Sequence, residues 1–217
     1  LEKGEIAGKP ERADGLNLML STWEKGKQYA MPEKLREKVL AFIPTKNRYD
    51  TLAITLTAIA MQTTVPDKVL IYDDGECKDL RTDPTYKHIF ALFDKKRIQW
   101  GVIFGAKKGQ HHGHQIANRS EFPLCWRLDD DTVPTPGVLT SLLSHMTEGV
   151  GAVGGAVVEP GQAQFGGSGK IKDIFHKPNL AWAIGAEILE VEHLYSSFLY
   201  RTSIVNYNLD LSPKAHR

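Results

Sequence analysis

Apolar residues in this chain come in short unbroken runs, and between the runs the pattern changes to a period near that of a helix. The first run, Val39-Leu40-Ala41-Phe42-Ile43, contains no polar position and is stopped by Pro44, which is how a central strand covered on both faces reads. Residues 50–62 put Leu52, Leu56 and Ile59 on one side of a predicted helix. A turn over 63–67 leads to a second strand, Lys68-Val69-Leu70-Ile71-Tyr72, and completes a βαβ unit. Asp83-Pro84 forms an N-cap and first-turn pair for a helix carrying Ile89, Leu92 and Phe93, and residues 98–104 read as a third strand.

A glycine-rich loop over 105–113 precedes a short helix near 114–119, then a fourth strand over 124–128 runs into Asp129-Asp130-Asp131. Pro136 opens a helix through Leu139, Leu142 and Leu143, and a further strand is predicted over 152–158. Strands separated by helices imply an α/β fold with a mostly parallel sheet and right-handed crossovers. Upstream, residues 1–38 are polar and charge-rich, an N-terminal arm with a short helix over 31–38. Downstream, residues 159–180 are rich in Gly, Gln, Lys and Pro and read as a long functional loop. Strand-like stretches recur at 186–191 and 198–201.

Composition narrows the classes without choosing one. With 27 Lys plus Arg against 26 Asp plus Glu, the net charge of +1 gives no general field to attract nucleic acid or an anionic membrane, so an anionic ligand must be held by local geometry. No segment reaches the roughly 20 apolar residues of a transmembrane helix. Cys77 and Cys125 lie outside any CxxC spacing, which fits a reducing, cytoplasmic setting better than a disulfide framework or zinc site. A chain that begins at Leu1 reads as a piece of a longer protein.

In an open α/β sheet, ligands sit outside the carboxyl ends of the strands. Three such ends are polar here: Pro44-Thr45-Lys46-Asn47-Arg48 after the first strand, Asp73-Asp74-Gly75 after the second, and Asp129-Asp130-Asp131 after the fourth. All three should converge on one crevice. Adjacent carboxylates repel unless a cation neutralises them, so the triple aspartate reads as a site for Mg²⁺ or Mn²⁺ completed by substrate phosphates, or else as a solvated acidic turn capping the next helix. Asp73-Asp74-Gly75 is either a backbone turn or an acceptor for a base N–H or ribose hydroxyls. The first loop has no glycine, which disfavours a nicotinamide dehydrogenase. Nor does it carry the Gly-rich, basic loop of a nucleotidyltransferase.

Phe42-Ile43-Pro44-Thr45-Lys46-Asn47-Arg48, followed by Leu56, Gln62-Thr63, Pro66 and Ile71-Tyr72-Asp73-Asp74-Gly75, resembles the opening of family 2 glycosyltransferases with the GT-A fold. Arg127-Leu128-Asp129-Asp130-Asp131 with Pro134 and Pro136 is similar to their DXD segment. The resemblance covers about residues 39–158, the donor-binding half, and leaves 159–217 as part of the acceptor side of the same domain. It implies a Rossmann-like three-layer α/β/α fold with a mixed, mostly parallel sheet, and inverting, metal-dependent transfer from a nucleoside diphosphate sugar, usually UDP-linked, to a glycan, lipid or protein hydroxyl.

By the same resemblance, Pro44, Thr45, Asn47, Arg48, Asp73 and Asp74 face the donor nucleotide, Asp130 faces the ribose or sugar, and Asp129 and Asp131 hold Mn²⁺ or Mg²⁺. Asn118 and Arg119 fall where the family often has an Arg-Asn pair, in reversed order. The family's catalytic base, a Glu-Asp motif, falls after Arg217, and Glu187, Glu190 and Glu192 do not fit it. A donor-binding piece that does not itself transfer is therefore the alternative expectation. His111, His112 and His114 lack an acidic partner at fixed spacing and read as loop residues or phosphate contacts rather than metal ligands, and Lys107 and Lys108 lie where donor phosphates could be approached. Cys77 reads as an incidental thiol.

Overall fold

A computed structural model describes residues 36–76, 78–155, 157, 171–172, 178–179, 194 and 197–204. Its main sheet has six strands. β1 (Val39–Thr45) lies at the centre, parallel to β2 (Lys68–Asp73) on one side and β4 (Leu124–Leu128) on the other. All seven β1 residues are buried, as the apolar run requires of a strand covered on both faces. The strand continues two residues past the predicted stop. Pairing with β4 has ended at Phe42, so a residue without an N–H is tolerated at Pro44.

β3 (Gln99–Phe104) extends the parallel set and forms one edge. At the other side the sheet changes character: β8 (Ser197–Arg201) inserts antiparallel between β4 and β5 (Ala152–Gly154). Trp126, fully buried on β4, donates its indole N–H to Ser197 Oγ at 3.2 Å, a polar tie within this pairing. Residues 171–172 and 178–179 form a separate two-stranded antiparallel ladder, β6 with β7.

Helices cover both faces. α1 (Tyr49–Ala60), α2 (Pro84–Lys95) and α4 (Val138–His145) share one core with the strands, built from residues such as Ile43, Leu56, Ile71, Phe93, Trp126 and Leu139. α3 (Gln110–Asn118) covers the opposite face through Ala117, against Leu40, Phe42, Leu70, Tyr72, Cys125 and Tyr200. The arrangement is three layers, α/β/α. α2 starts as read: Asp83 accepts from the Thr85 N–H at 2.9 Å, with Pro84 in the first turn. Its buried side is wider than expected, adding Tyr86 and Phe90. Phe90 stacks on Trp100 of the edge strand with ring centroids 3.9 Å apart.

Four expectations shift. Arg36, Glu37 and Lys38 are not helical; Arg36 instead reaches Asp67 at 2.8 Å and the Val65 carbonyl at 3.1 Å, tying the end of the predicted arm to the turn before β2. α3 begins at Gln110 rather than near 114, because Gly113 is not a breaker here. A Cβ on it would lie 2.6 Å from the Tyr72 ring, so its lack of a side chain is what lets the helix approach the sheet. α4 begins at Val138, two residues after Pro136. The last strand of the first half is shorter than predicted, and residues 155 and 157 are not in it. Most of 159–180 and all of 186–191 and 211–217 lie outside the described residues. Among the described residues no helix is long and apolar enough to cross a membrane.

Candidate donor site at the carboxyl ends of the strands

The loops after β1, β2 and β4 meet at one edge of the sheet. Asp74 N–H donates to the Thr45 carbonyl at 3.0 Å, which joins the ends of β2 and β1. Thr45 donates its hydroxyl to Asp130 Oδ2 at 2.7 Å, which joins β1 to the acidic run. Asn47, at φ 59°, accepts from the Glu76 N–H at 2.8 Å. Gly75 must be glycine for this contact, since a Cβ there would come within 2.1 Å of Asn47 Oδ1. Asn47 thus staples two loops together.

The two aspartates after β2 divide their work. Asp73 is fully buried and turned inward, accepting from the Gly75 N–H at 2.8 Å and from the Tyr49 hydroxyl at 3.1 Å, so it builds the turn. Asp74 is only partly buried. Its Oδ2 accepts from the Gly109 N–H at 2.9 Å, while its Oδ1 is buried with no hydrogen-bond partner. A buried carboxylate oxygen left unpaired costs free energy. The Tyr72 hydroxyl lies beside it, 3.2 Å from His112 Nδ1, and burial first and the Asp74 charge second push this phenol up to about 12. Gly105 packs against both groups, since a Cβ there would meet Asp74 Oδ1 and the Tyr72 hydroxyl at 2.4 Å.

In the acidic run two arginines are shared among three carboxylates. Arg127, largely buried, pairs with Asp129 at 2.6 Å and lies over the Phe198 ring. Asp130 is fully buried; Arg48 donates through Nε to its Oδ2 at 3.1 Å and ion-pairs through Nη2 with its Oδ1. The same guanidinium reaches Asp131 Oδ2 at 2.8 Å through Nη1. Burial pushes the Asp130 carboxyl above its ordinary range, against the Thr45 hydrogen bond and the Arg48 charge, which pull it down. The expectation that three adjacent aspartates need a metal to neutralise them overlooked these two arginines. Among the described residues no group of three or more His, Cys, Asp or Glu could hold a metal ion unaided. One or two hard carboxylate oxygens at a strand end do fit Mg²⁺ or Mn²⁺ when phosphates and water complete the shell, and Asp131 is the half-exposed carboxylate of the run.

The structure does not bring Asn118 and Arg119 to this edge. They end α3 at the opposite side of the sheet, where Asn118 Oδ1 accepts from the Tyr200 hydroxyl at 2.6 Å and Tyr200 pairs with Cys125 near the start of β4. Of α3 and the loop before it, Gly109, His112 and Gly113 reach the pocket. His114 packs edge-on against Phe42, and Lys107 and Lys108 are exposed.

The profile described as glycosyl transferase family 2 matches residues 41–189, more than half of the chain. The chain belongs to glycosyl transferase family 2. Among solved structures it is similar to the mannosyltransferase PcManGT from Pyrobaculum calidifontis in complex with GDP-Man and Mn²⁺, at 18% identity and a TM-score of 0.48, over 70% of this chain and 47% of that one. It is also similar to S. aureus TarS 1–349, at 14% identity and a TM-score of 0.49, over 76% of this chain and 47% of that one, and to the same protein in complex with UDP-GlcNAc, at 21% identity and 0.37, over 48% and 29%. This family 2 chain thus spans about half the length of the first two. No curated protein matches it.

One residue of this family 2 site had no assigned role in the sequence. Gln62, buried just after α1, donates to the Thr135 carbonyl at 2.9 Å and the Pro134 carbonyl at 3.3 Å and accepts from the Leu139 N–H at 3.1 Å. Thr63 adds bonds to the Pro136 carbonyl and to Thr140. The segment that leaves Asp131 is therefore clamped to the end of α1. The signal in the sequence was a polar Gln-Thr pair directly after an amphipathic helix.

Proposed function

We propose that this glycosyltransferase domain binds a nucleoside diphosphate sugar, UDP-linked, across the carboxyl-end crevice together with Mn²⁺ or Mg²⁺, and serves transfer of the sugar to an acceptor hydroxyl with inversion. The observation that carries the reading is the buried, unpartnered Oδ1 of Asp74, set beside Thr45 and in line with the acidic run. A uracil ring N–H would supply the missing donor, and the Pro44-Thr45 backbone would flank the base. Asp130, held by Thr45, would face the ribose or sugar. Asp131, with Asp129 behind it, would hold the cation at the diphosphate.

The chemistry needs charge control at this point. Breaking the bond between the sugar C1 and the diphosphate oxygen leaves negative charge on the departing nucleotide, and a divalent cation bound there supplies its stabilisation. Arg48, half-exposed at the same edge, adds a guanidinium suited to bidentate contact with phosphate. Inversion requires the acceptor hydroxyl to approach C1 from the face opposite the diphosphate, with a carboxylate to take its proton.

Calorimetry with UDP in the presence and absence of Mn²⁺ tests the reading. UDP binding strengthened by Mn²⁺, and weakened about tenfold or more in Asp131→Ala and Asp74→Ala, is the expected result. Binding that ignores both substitutions would remove the donor-site assignment.

A further inference from the structure

Arg48 reaches two of the three aspartates at once. It contacts Asp130 through Nε and Nη2 and Asp131 through Nη1 at 2.8 Å, a two-carboxylate span that suits a planar guanidinium and not an ammonium. The two carboxylates differ in how firmly they are held. Asp130 is fully buried and fixed from its other side by Thr45 at 2.7 Å. Asp131 keeps 48% of its side-chain exposure and Arg48 keeps 54%, so their contact lies in water and exchanges readily. Asp129 has its own cation in Arg127. A divalent ion arriving at this edge therefore meets three carboxylates that share two guanidinium charges, with Asp131 Oδ2 taken by Arg48.

We infer that Arg48 is an internal counter-ion for the acidic run: it competes with the divalent cation for Asp131 in the ligand-free protein and moves to the diphosphate when the donor binds. The inference rests on the donor-site reading above and deepens it. Arg48 immediately precedes α1 and caps it with no side-chain bond, so its Nη1 can turn from Asp131 while Nε and Nη2 stay on buried Asp130 and the helix keeps its cap. Moving it onto an anion frees Asp131 for the cation, and a cation on Asp131 releases Arg48 for the anion. Cation and nucleotide then strengthen each other by the same factor. The device makes the cation bind weakly alone and firmly with a diphosphate.

The test titrates Mn²⁺ into wild type, Arg48→Gln and Arg48→Lys, with and without UDP, reading free Mn²⁺ by electron paramagnetic resonance. Without UDP, Arg48→Gln is expected to bind Mn²⁺ roughly three- to fivefold more tightly than wild type, the size set by one half-exposed ion pair. The gain in Mn²⁺ affinity on adding UDP should shrink by at least as much. Arg48→Lys, which keeps the charge without the fork, should fall between the two in both arms. Equal Mn²⁺ affinity of wild type and Arg48→Gln without UDP overturns the competition, and an undiminished UDP effect in Arg48→Gln overturns the transfer to the diphosphate. Failure of the donor-site reading looks different: UDP then changes Mn²⁺ binding in none of the three proteins, while the UDP-free arm still decides the competition.

Discussion

Two aspartates stand at equivalent places in this fold, Asp74 just past β2 and Asp130 just past β4, and their surroundings are opposite. Asp130 is fully buried, its Oδ2 hydrogen-bonded by Thr45 and Arg48 and its Oδ1 answered by the Arg48 ion pair alone. Asp74 is partly exposed, yet its one buried oxygen has no partner. Asp130 is tied to another strand end and to a guanidinium, whereas the side chain of Asp74 takes only the Gly109 N–H on one oxygen and nothing on the other. Residue type and strand-end position alone do not separate the two roles; the partner list does.

The largest expected effect strikes the Asp74 side through its wall. Gly105→Ala puts a Cβ 2.4 Å from both Asp74 Oδ1 and the Tyr72 hydroxyl, and should cost about 3 kcal/mol in urea unfolding. Gly137→Ala, with nothing within 4 Å of its added Cβ, should change stability by less than about 0.5 kcal/mol. Equal effects at the two glycines would mean that the pocket wall is not tight.

On the Asp130 side, Thr45→Val keeps the shape and removes the hydroxyl that donates to the carboxylate. It should lower unfolding free energy by about 2 kcal/mol, the value of a buried hydrogen bond to a charged group. A loss below about 0.5 kcal/mol would erase the contrast. Asp74→Asn should leave stability within about 0.5 kcal/mol and weaken UDP binding about tenfold, because the group has a ligand to lose and little protein structure. Loss of folding in place of affinity would reverse its assignment.

The smallest effect reports the Asp74 charge. Tyr72 titrates near 12 because burial and Asp74 oppose its ionisation. Raised in the folded state, it contributes stability that is fully present below pH 10 and lost as the pH climbs toward 12. In NMR of tyrosine-labelled protein, Asp74→Asn should bring the Tyr72 titration part of the way back toward 10. An unmoved titration would mean that no negative charge sits beside the phenol.

The parallel half of the fold was legible because its signals are local. Continuous apolar runs announced β1, β2 and β4, and Asp83-Pro84 announced α2. The convergence of three polar strand ends followed from topology alone. What escaped the sequence depends on partners far along the chain. β8 enters between β4 and β5 from some seventy residues beyond β4, with no local mark of its neighbours. The charge balance of the acidic run comes from Arg48, more than eighty positions upstream. Gly113 had a local signal with the wrong reading, since a missing side chain serves close approach as well as chain breaking. Asn118 and Arg119 show the same limit: helix length and direction carried them away from the edge that their place in the motif implied.

The clamp formed by Gln62 has one more implication. α1 is about 18 Å long, with Arg48 at its start touching Asp130 and Asp131 and Gln62 just past its end gripping Pro134, Thr135 and Leu139. The acidic loop is strung along the flank of the helix like a cord between two pegs. Its residue count from 131 to 139 is therefore a measured length: an exposed side chain within it such as Val133 could be exchanged freely, but adding or removing a residue would shift either the pairing with Arg48 or the seat of α4.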